Sequence, residues 1–374
     1  MKLLHLSDLH LGKRLKEQSF IEDQQYILDE IIKIASDEKP EGVIIAGDIY
    51  DKSVPSAEAV GLFDRFLTQI SEMGIKIYAV SGNHDSAERI AFGANLMKAG
   101  GVHFSPVYNG NIEKITETDQ YGNLNIYLLP FIKPSEVREF FPDREISDYT
   151  QAVEAALSHI EINPTERNII VSHQFVTGAS KSGSEEASVG GLDNVDSRVF
   201  EQFDYTALGH IHGSQNINGG KIRYCGTPLK YSFSEANHKK TVTVVDFFEK
   251  GSCEIREIPL VPLRDMRDIK GKFDFILENT EKTNDYIRVI LTDDNEVLNA
   301  AGRLRHLIPN LLELSFDSKS APDFKAFEAS ENTIRTSPEE VFLEFYRSQK
   351  GKDVTDEEKV LIEEIIRLAK EDMN

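Results

Sequence analysis

Seven side chains of the kinds that bind metal ions occur in a fixed order along this chain, and each follows a short apolar run typical of a buried strand. They are Asp8, His10, Asp48, Asn83, His173, His210 and His212. Loops that follow parallel strands meet at one edge of a sheet, so we expect these side chains to lie together there. A chain with this pattern must bring strands from distant positions together, and the alternation of strands and helices between them favours an α/β architecture.

The types of these side chains predict a centre of two divalent cations. The Asp48 carboxylate has two oxygens and can bridge two ions about 3.5–4 Å apart. Each ion then takes three further ligands, which are Asp8, His10 and His212 for one ion and Asn83, His173 and His210 for the other. Mixed nitrogen and oxygen ligands favour Mn²⁺, Fe or Zn²⁺ over Ca²⁺ or Mg²⁺. Two dications held by two carboxylates leave a positively charged site, which predicts hydrolysis of a phosphoester.

Local spacing agrees with this grouping. Residues two apart on a strand face the same side of the sheet, so Asp8 and His10 can reach one ion together. His210 and His212 have the same spacing, but Gly213 predicts a turn directly after them. That turn would let the two imidazoles diverge toward different ions.

The motifs around these residues resemble a known family. The segments SDLH, GD, GNHD, SH and GHIH follow the order found in calcineurin-like metallophosphoesterases, from residue 8 to residue 212. Segments at 178–183, 205–215 and 223–235 are similar to a bacterial nuclease branch whose members work with a coiled-coil ATPase. The resemblance implies an α/β (α+β) fold with a mixed-sheet sandwich flanked by helices. It also implies Mn²⁺-dependent hydrolysis of DNA.

The family pattern gives His84 a role of its own. The resemblance implies that two bound metals lower the pKa of a water molecule that attacks the phosphorus in line. The leaving 3′-oxygen then needs a proton, and imidazoles are suitable general acids near neutral pH. We predict that His84 protonates the leaving group or clamps the scissile phosphate, and that Asp85 orients its loop. Where archaeal relatives have a second histidine, this chain has Asp51, to which we transfer no catalytic role.

The charge of the chain limits how it can bind nucleic acid. Its net charge of −21 argues against a general nucleic-acid coat protein, because nonspecific affinity comes from Lys and Arg side chains that neutralise phosphates. Contact with DNA must then be local or shared with a partner. The local candidates are Lys13, Arg14, Lys181 and Lys230, together with Lys16, Lys239 and Lys240. For each of them, an ordinary solvated surface residue is the alternative.

The order of predicted elements changes near residue 260. Before it, strands and helices alternate, with helices predicted at 56–73 and 86–99 among others. After it, we expect strands at 286–291 and 311–316 around a helix at 296–307. We therefore predict a metallophosphoesterase nuclease domain over 1–259, a small α+β capping domain over 260–320, a linker over 321–337 and amphipathic helices over 338–374.

The last region has two amphipathic segments. Thr355 and Glu358 match a capping box that begins the second of them. Two short helices on a tether cannot bury their apolar faces alone, so they either fold back on the core or dock on a partner. The residues leave both alternatives open. The resemblance implies docking on the coiled-coil ATPase, with the apolar stripes lying in a groove of that partner.

Three classes of function remain compatible with the sequence. The first is a Mn²⁺-dependent nuclease subunit in DNA repair, recombination and replication, acting at DNA ends, hairpins and single strands. The resemblance implies 3′–5′ exonuclease activity on duplexes and endonuclease activity on single strands. The second is a phosphoesterase for small phosphodiesters or phosphoproteins, and the third is a scaffold without catalysis. The complete ligand set disfavours the scaffold, and the regions after residue 260 favour the nuclease.

Assembly and location follow from the same features. The family resemblance implies a homodimer within a heterotetramer, in which the helices at 56–73 and 86–99 pair across a two-fold axis. The chain has no Walker A motif, so ATP must enter through the partner. No apolar run approaches the ~20 residues that a membrane span needs, and the two cysteines lack C-x-x-C spacing. We expect a cytoplasmic, nucleoid-associated protein with reduced cysteines and no membrane partner.

Overall fold

The computed structural model describes residues 1–183, 194–293, 295, 297–317, 354, 355, 359 and 362. The predicted linker at 321–337 lies outside the described residues, and so do the predicted helices at 338–374 apart from four single positions. The chain divides into two compact units. The first consists of Met1–Asp268 and Asn284–Ile287, and the second of Ile269–Thr283 and Arg288–Asn374.

The described residues form strands β1 Lys2–Leu6, β2 Arg14–Leu15, β3 Gln18–Ser19, β4 Gly42–Ala46, β5 Lys76–Val80, β6 Val102–Phe104, β7 Glu113–Asp119, β8 Gly122–Leu129, β9 Arg167–His173, β10 Phe175–Val176, β11 Asn194–Val195, β12 Tyr205–Gly209, β13 Gln215–Ile217, β14 Ile222–Tyr224, β15 Thr241–Phe247, β16 Cys253–Pro259, β17 Met266–Gly271, β18 Tyr286–Leu291 and β19 Leu311–Phe316. Their α-helices are α1 Ile21–Glu38, α2 Ala57–Glu72, α3 Ala87–Ile90, α4 Ala94–Met97, α5 Pro134–Arg138, α6 Tyr149–Leu157, α7 Phe273–Asn279 and α8 Ala300–Leu304. Short 3₁₀ turns lie at Lys98–Gly100, Ser197–Phe200, Asn218–Gly220 and Phe233–Glu235.

Two six-stranded mixed sheets make up most of the first unit. The first sheet has the order β16-β15-β1-β4-β5-β6, and the second has the order β13-β14-β12-β9-β8-β7. Strands β1, β4, β5 and β6 are parallel, and so are β8, β9, β12 and β14, whereas the remaining strands pair antiparallel. The carboxyl ends of the parallel strands therefore lie at a common edge of each sheet.

The two sheets enclose a core, as the alternation of side chains along a strand requires. In β8, Ile126 and Leu128 belong to a buried cluster that also contains Ile44 of the first sheet. The intervening Tyr127 and Leu129 belong to a second cluster with residues of α6. Because successive side chains of a strand point to opposite faces, one face of β8 packs on the other sheet and the other face packs on a helix. This is the predicted α/β sandwich flanked by helices.

The longer helices begin and pack as their sequences predict. In α1, the buried side chains Ile27, Leu28, Ile31 and Ala35 recur at helical spacing. The Ser56 hydroxyl accepts a hydrogen bond from a backbone N–H in the first turn of α2, which is the expected N-cap. An apolar stripe in α1 and an N-cap residue in α2 are therefore sufficient to predict these helices from the sequence.

The prediction of one continuous helix over 86–99 is wrong. The segment instead forms α3, α4 and a 3₁₀ turn. Gly93 separates α3 from α4 with a φ of +72°, a conformation that glycine adopts without a steric cost. Three large apolar side chains of this segment are exposed, Phe92 at 81%, Leu96 at 84% and Met97 at 38%.

The second unit is built around part of a smaller sheet with the order β17-β18-β19. The strands predicted at 286–291 and 311–316 are β18 and β19. The helix predicted over 296–307 is shorter, since α8 covers only Ala300–Leu304. Within the part of the chain that the structure describes, no helix has the length and apolar character needed to cross a membrane.

Candidate metal centre

All seven predicted ligands lie in loops at the carboxyl ends of parallel strands, or on the last residue of one. Asp8 and His10 follow β1, Asp48 follows β4, Asn83 follows β5, His173 ends β9, and His210 and His212 follow β12. Six of them are buried, and Asn83 is half-buried. The structure therefore brings together side chains that are as far apart in sequence as Asp8 and His212.

The backbone at these positions is unusual. Asp8, His10, Asp48 and His210 have φ values of +52°, +44°, +49° and +98°, although non-glycine residues seldom adopt positive φ. Such conformations cost free energy and persist where surrounding contacts hold them in place. The strain at four ligand positions indicates that this edge is shaped for the placement of side chains.

Specific hydrogen bonds hold the first ligand loop. The backbone N–H of His10 donates to the carbonyl of Asp48 over 3.0 Å. The Gln24 amide donates to the His10 carbonyl over 2.7 Å, and the Tyr231 hydroxyl donates to the Leu9 carbonyl over 2.5 Å. Gln24 and Tyr231 are both buried, so their hydrogen bonds hold the loop in a fixed position.

Asp48 lies at the middle of the cluster. One of its oxygens, Oδ2, is 3.3 Å from His173 Nε2, 3.7 Å from His10 Nε2 and 3.9 Å from His84 Nε2. Its other oxygen, Oδ1, accepts a hydrogen bond from the His84 backbone N–H over 2.9 Å. A single carboxylate thus faces imidazoles from both predicted ligand sets, which is the arrangement that a bridging ligand needs.

The remaining ligands separate into the two predicted sets. His10 Nε2 and His212 Nε2 are 3.3 Å apart, and Asp8 offers an oxygen within 4.8 Å of both. In the second set, the Asn83 Oδ1 atom lies 3.0 Å from His173 Nε2 and 3.0 Å from His210 Nδ1. These ligand atoms converge on two places beside the Asp48 carboxylate.

The donor atoms fit two divalent cations. Nδ1 of His212 donates to the Glu235 carboxylate, so the neutral ring presents a lone pair at Nε2, the nitrogen that faces His10. Two imidazole nitrogens as close as those of His10 and His212 cannot both direct a proton at each other, so at least one directs a lone pair. A cation placed among these nitrogens and carboxylates would satisfy lone pairs that the protein leaves unused. The set of four imidazoles, two carboxylates and one amide suits a transition-metal pair.

Burial and charge set the protonation of this centre. Burial lowers the pKa of His173, but the carboxylates of Asp48 and Asp8 raise it more, to about 9. Burial raises the pKa of Asp8 to about 6, although the imidazoles of His173 and His212 oppose the shift. Burial would also raise the pKa of Asp48, but the charge and hydrogen bond of His173 hold it below its usual range. A proton on His173 must leave when a cation binds, so cation binding is expected to weaken as the pH falls.

The loop that carries Asn83 and His84 is fixed by Asp85. Its carboxylate accepts hydrogen bonds from the backbone N–H groups of Ile49, Tyr50 and Gly82, over 3.1, 2.9 and 2.9 Å. These bonds join the loop after β4 to the loop after β5. A Cβ atom at Gly82 would lie only 2.1 Å from Asp48 Oδ1, so this close approach requires glycine. The arrangement supports the predicted orienting role of Asp85.

The His84 ring faces the centre from a more open position. Its side chain is 23% exposed, and its Nδ1 lies 3.2 Å from the Asp51 carbonyl oxygen. A carbonyl can only accept, so this contact places the Nδ1 proton toward Asp51 and leaves Nε2 facing Asp48. The backbone of Asp51 thus orients His84, while its carboxylate pairs with Lys13 over 2.7 Å.

Glu235 supports the centre in a way that the sequence motifs do not reveal. It is completely buried, and its carboxylate accepts hydrogen bonds from His212 Nδ1 over 3.0 Å, Lys240 Nζ over 2.5 Å and Thr227 Oγ1 over 3.2 Å. Burial would raise its pKa, but the hydrogen bond from His212 and the charge of Lys240 lower it more. A carboxylate bound to the far nitrogen of a histidine ligand fixes the ring and its tautomer.

We expect Glu235→Gln to weaken cation binding by roughly 10- to 100-fold, because the neutral amide no longer orients His212 as well. Titration calorimetry with Mn²⁺ on the purified chain measures this directly, without reliance on activity. Glu257→Gln is the matched control, since Glu257 is a partly exposed acidic residue on β16. Equal Mn²⁺ affinity in the Glu235→Gln and Glu257→Gln proteins would show that Glu235 has no positioning role.

The predicted DNA-contacting side chains differ in their surroundings. Lys181 Nζ lies 3.7 Å from the centre of the Phe175 ring, and that ring is 6.2 Å from the ring of His210. Arg14 is exposed and donates to the Glu17 carbonyl over 2.6 Å. Lys181 therefore stands close to the centre, and Arg14 stands on an open surface.

Lys230 and Lys240 already bind protein acceptors. Lys230 Nζ donates to the carbonyls of Ala236 and Met266, over 2.8 and 3.1 Å, and pairs with Asp265 over 2.8 Å. Lys240 is buried against Glu235. A phosphate contact by Lys230 stays a prediction, and it would require one of these three bonds to break. The candidates Lys16 and Lys239 are exposed.

The chain matches two family models. Residues 1–214 match the calcineurin-like phosphoesterase family, and residues 262–350 match the type 5 capsule protein repressor C-terminal domain. The first match alone spans more than half of the chain and contains every predicted ligand.

Two relatives carry the name of the D subunit of the nuclease SbcCD. The one from Staphylococcus epidermidis is 34% identical over 322 residues, which cover 84% of this chain and 85% of the relative. The one from Staphylococcus saprophyticus is 32% identical over an alignment of 375 residues, gaps included, which covers 98% of this chain and 98% of the relative. Solved structures that match this chain include a dimetal phosphatase from Danio rerio, with a TM-score of 0.37 and 11% identity over 70% of this chain and 99% of that one. Protein TT1561 of Thermus thermophilus has a TM-score of 0.39 and 12% identity over 68% of this chain and 98% of that one.

Proposed function

The chain belongs to the calcineurin-like phosphoesterase family, and from its match to the two SbcCD nuclease subunits we propose that it is the nuclease subunit of an SbcCD-type complex. It is a metal-dependent phosphodiester hydrolase. The observation that carries the proposal is the convergence of two ligand sets on Asp48, with His84 beside them. His10, Asp48 and His84 offer ligand atoms that lie within 4.8 Å of one another.

The proposed chemistry divides between the cations and the protein. The ligand residues named above would hold two divalent cations, which would supply an activated water and neutralise charge on the phosphate. His84, oriented by the Asp51 carbonyl, holds a proton at Nε2 when charged and transfers it to the leaving oxygen. Asp85 and Glu235 keep the loops and His212 in place, so the geometry needs little rearrangement during the reaction.

Two observations favour a nuclease subunit over the alternatives. The two SbcCD nuclease relatives match 84–98% of the chain, beyond the phosphoesterase region alone. A phosphoesterase for small diesters or phosphoproteins has no need of the region that follows residue 260. A scaffold has no need of a complete set of buried ligands. We therefore keep the predicted division into 1–259, 260–320, 321–337 and 338–374 as part of the proposal.

The identity of the metal and the kinds of DNA that are cut are also proposed. We propose Mn²⁺ as the cation, and DNA ends, hairpins and single strands as substrates, with 3′–5′ exonuclease activity on duplexes and endonuclease activity on single strands. Lys13, Arg14 and Lys181 are the proposed phosphate contacts, with Lys230 as a fourth. The proposed location is the cytoplasm, in association with the nucleoid.

An assay of the purified chain tests this function. Mn²⁺, Mg²⁺ and Zn²⁺ are compared on end-labelled duplex, hairpin and single-stranded DNA, beside a chromogenic phosphodiester. We expect Mn²⁺-dependent cleavage of DNA. Cleavage of the chromogenic diester alone would favour the phosphoesterase for small substrates, and no cleavage of any substrate by the metal-loaded chain would favour the scaffold.

The partner is proposed to be an SbcC-like coiled-coil ATPase that binds residues 338–374. A chain that ends at residue 337 keeps all the predicted ligands, so we expect its Mn²⁺-dependent cleavage of short single strands to be unchanged. We expect it to lose co-purification with the ATPase. Retention of the ATPase at full yield would show that these residues serve the core instead.

The proposed assembly is a homodimer within a heterotetramer. Phe92 and Leu96 are exposed large apolar residues in the segment that was expected to pair, and their burial on a two-fold axis would stabilise a dimer. We expect the chain to have a dimer mass in light scattering at micromolar concentration, and the double variant Phe92→Glu and Leu96→Glu to have a monomer mass. Leu298→Glu is the matched control, because Leu298 is 89% exposed elsewhere. A monomer mass for the unaltered chain would contradict the proposal.

A further inference from the structure

A cleft of about 490 Å³ lies beside the predicted ligand Asn83 and has no part in the chemistry described so far. Loops after β4, β5, β6 and β8 line it, together with α5. These loops belong to the same carboxyl edge that holds the metal centre. A group bound to a phosphate at the centre could therefore extend into the cleft.

Aromatic rings form the apolar part of the cleft. Phe131 is half-buried, and its ring centre is 6.3 Å from that of His173, a predicted ligand. Its backbone N–H donates to the Ser81 carbonyl over 2.9 Å, which fixes it at the rim of the centre. Tyr108 and Phe140 meet edge to face with ring centres 5.5 Å apart, and Phe140 is 39% exposed. The cleft thus has two partly exposed aromatic side chains, Phe131 and Phe140, next to the place where phosphate would bind.

Tyr108 also offers an unused polar atom. The residue lines the cleft and is only 9% exposed, and its hydroxyl has no hydrogen-bonding partner within the part of the chain that the structure describes. The hydroxyl is itself buried from solvent, so it is an unsatisfied polar group in the wall of the cleft.

The charges at the cleft exclude a phosphate as its occupant. Glu88, Glu136 and Glu139 line it, and Lys133 is the basic side chain that accompanies them. This excess of carboxylates repels a phosphate group but can accept hydrogen bonds from ring amino groups. The charges therefore favour an occupant that has no negative charge and carries hydrogen-bond donors.

We propose that this cleft binds one nucleobase of the strand being cut, the one adjacent to the scissile phosphate. The proposal rests on the proposed nuclease function and deepens it. Phe131 stacks on the base, the Tyr108 ring forms part of the wall of the cleft, and the glutamates keep the backbone phosphates out. Stacking on an aromatic side chain depends little on base identity, so the cleft selects for an unstacked base rather than for a sequence.

The test compares single-stranded oligonucleotides that carry one abasic nucleotide at successive positions around a single cleavable linkage. The purified full chain with Mn²⁺ is assayed as the unaltered protein and as the variants Phe131→Ala and Tyr108→Phe. Phe275→Ala is the matched control, because Phe275 is 63% exposed in the second unit. The readout is the ratio of kcat/KM for the normal oligonucleotide to kcat/KM for each abasic one, with Mn²⁺ content measured for every protein.

For the unaltered chain we expect this ratio to be about 5- to 100-fold at one position next to the cut, the usual scale of one stacked base. Phe131→Ala should bring the ratio close to one, whereas Tyr108→Phe, which keeps the ring in the wall of the cleft, and Phe275→Ala should leave it unchanged. A ratio near one at every position for the unaltered chain would overturn the base subsite while leaving the nuclease function intact. Equal losses on normal and abasic strands in Phe131→Ala would also overturn it, because they would indicate damage to His173. Failure of the metal-loaded, unaltered chain to cut any strand would reject the nuclease function itself.

Discussion

Replacement of Asp48 by alanine is expected to reduce phosphodiester hydrolysis to background and to remove both cations. The reason is geometric, because Oδ2 of this one carboxylate lies 3.3 Å from His173 Nε2 and 3.7 Å from His10 Nε2, one from each ligand set. Without this carboxylate, each proposed ligand set would keep only three side chains, and no anion would lie between the two sets to hold the cations. Metal analysis by mass spectrometry after gel filtration, beside an assay with Mn²⁺, measures both effects.

Two further proteins make this result interpretable. Asp48→Asn keeps the size of the side chain and the acceptor for the His84 backbone N–H, so it separates loss of charge from loss of packing. Asp64→Ala removes an exposed carboxylate on α2 and should change neither quantity. If folded Asp48→Ala protein retained two tightly bound ions, Asp48 would not be the bridge.

Replacement of His84 by glutamine is expected to lower turnover by about 10²-fold or more while both cations stay bound. His84 is absent from both predicted ligand sets, and its contact with the Asp51 carbonyl leaves Nε2 directed at the centre. Glutamine can still form hydrogen bonds, but it cannot give up a proton near neutral pH. The expected result is therefore a fall in kcat with unchanged Mn²⁺ content.

A comparison of two substrates tests directly whether His84 acts as a general acid. A diester with a good leaving group, such as nitrophenolate, needs less help from a general acid than a sugar oxygen does. We therefore expect His84→Gln to lose less activity on the nitrophenyl diester than on DNA. His306→Gln is the matched control, because His306 is exposed and lies in the second unit. A folded, metal-loaded His84→Gln protein that cut DNA at the normal rate would exclude the proposed proton transfer.

Local patterns were enough to predict much of the fold. The strands at 286–291 and 311–316, the cap at Ser56 and the apolar stripe of α1 each depend on residues a few positions apart, and the structure contains all of them. The helix predicted over 86–99 failed because Gly93 adopts a positive φ, and its sequence spacing alone does not show that. Periodicity indicates which face of an element is apolar, but it does not indicate where a tolerated glycine will interrupt it.

The sequence by itself determined which side chains could meet at the metal centre, since an ordered set of ligand types at strand ends has few other uses. Only the tertiary structure decided how they are held. Glu235 reaches His212 through a contact 23 positions along the chain, and Asp51 acts on His84 through its carbonyl, which no side-chain motif records. It also decided that Lys230 binds protein acceptors and that aromatic rings border Asn83. The physical reason is that ligand types are a property of residues, whereas orientation, burial and hydrogen-bond partners are set by elements distant in sequence.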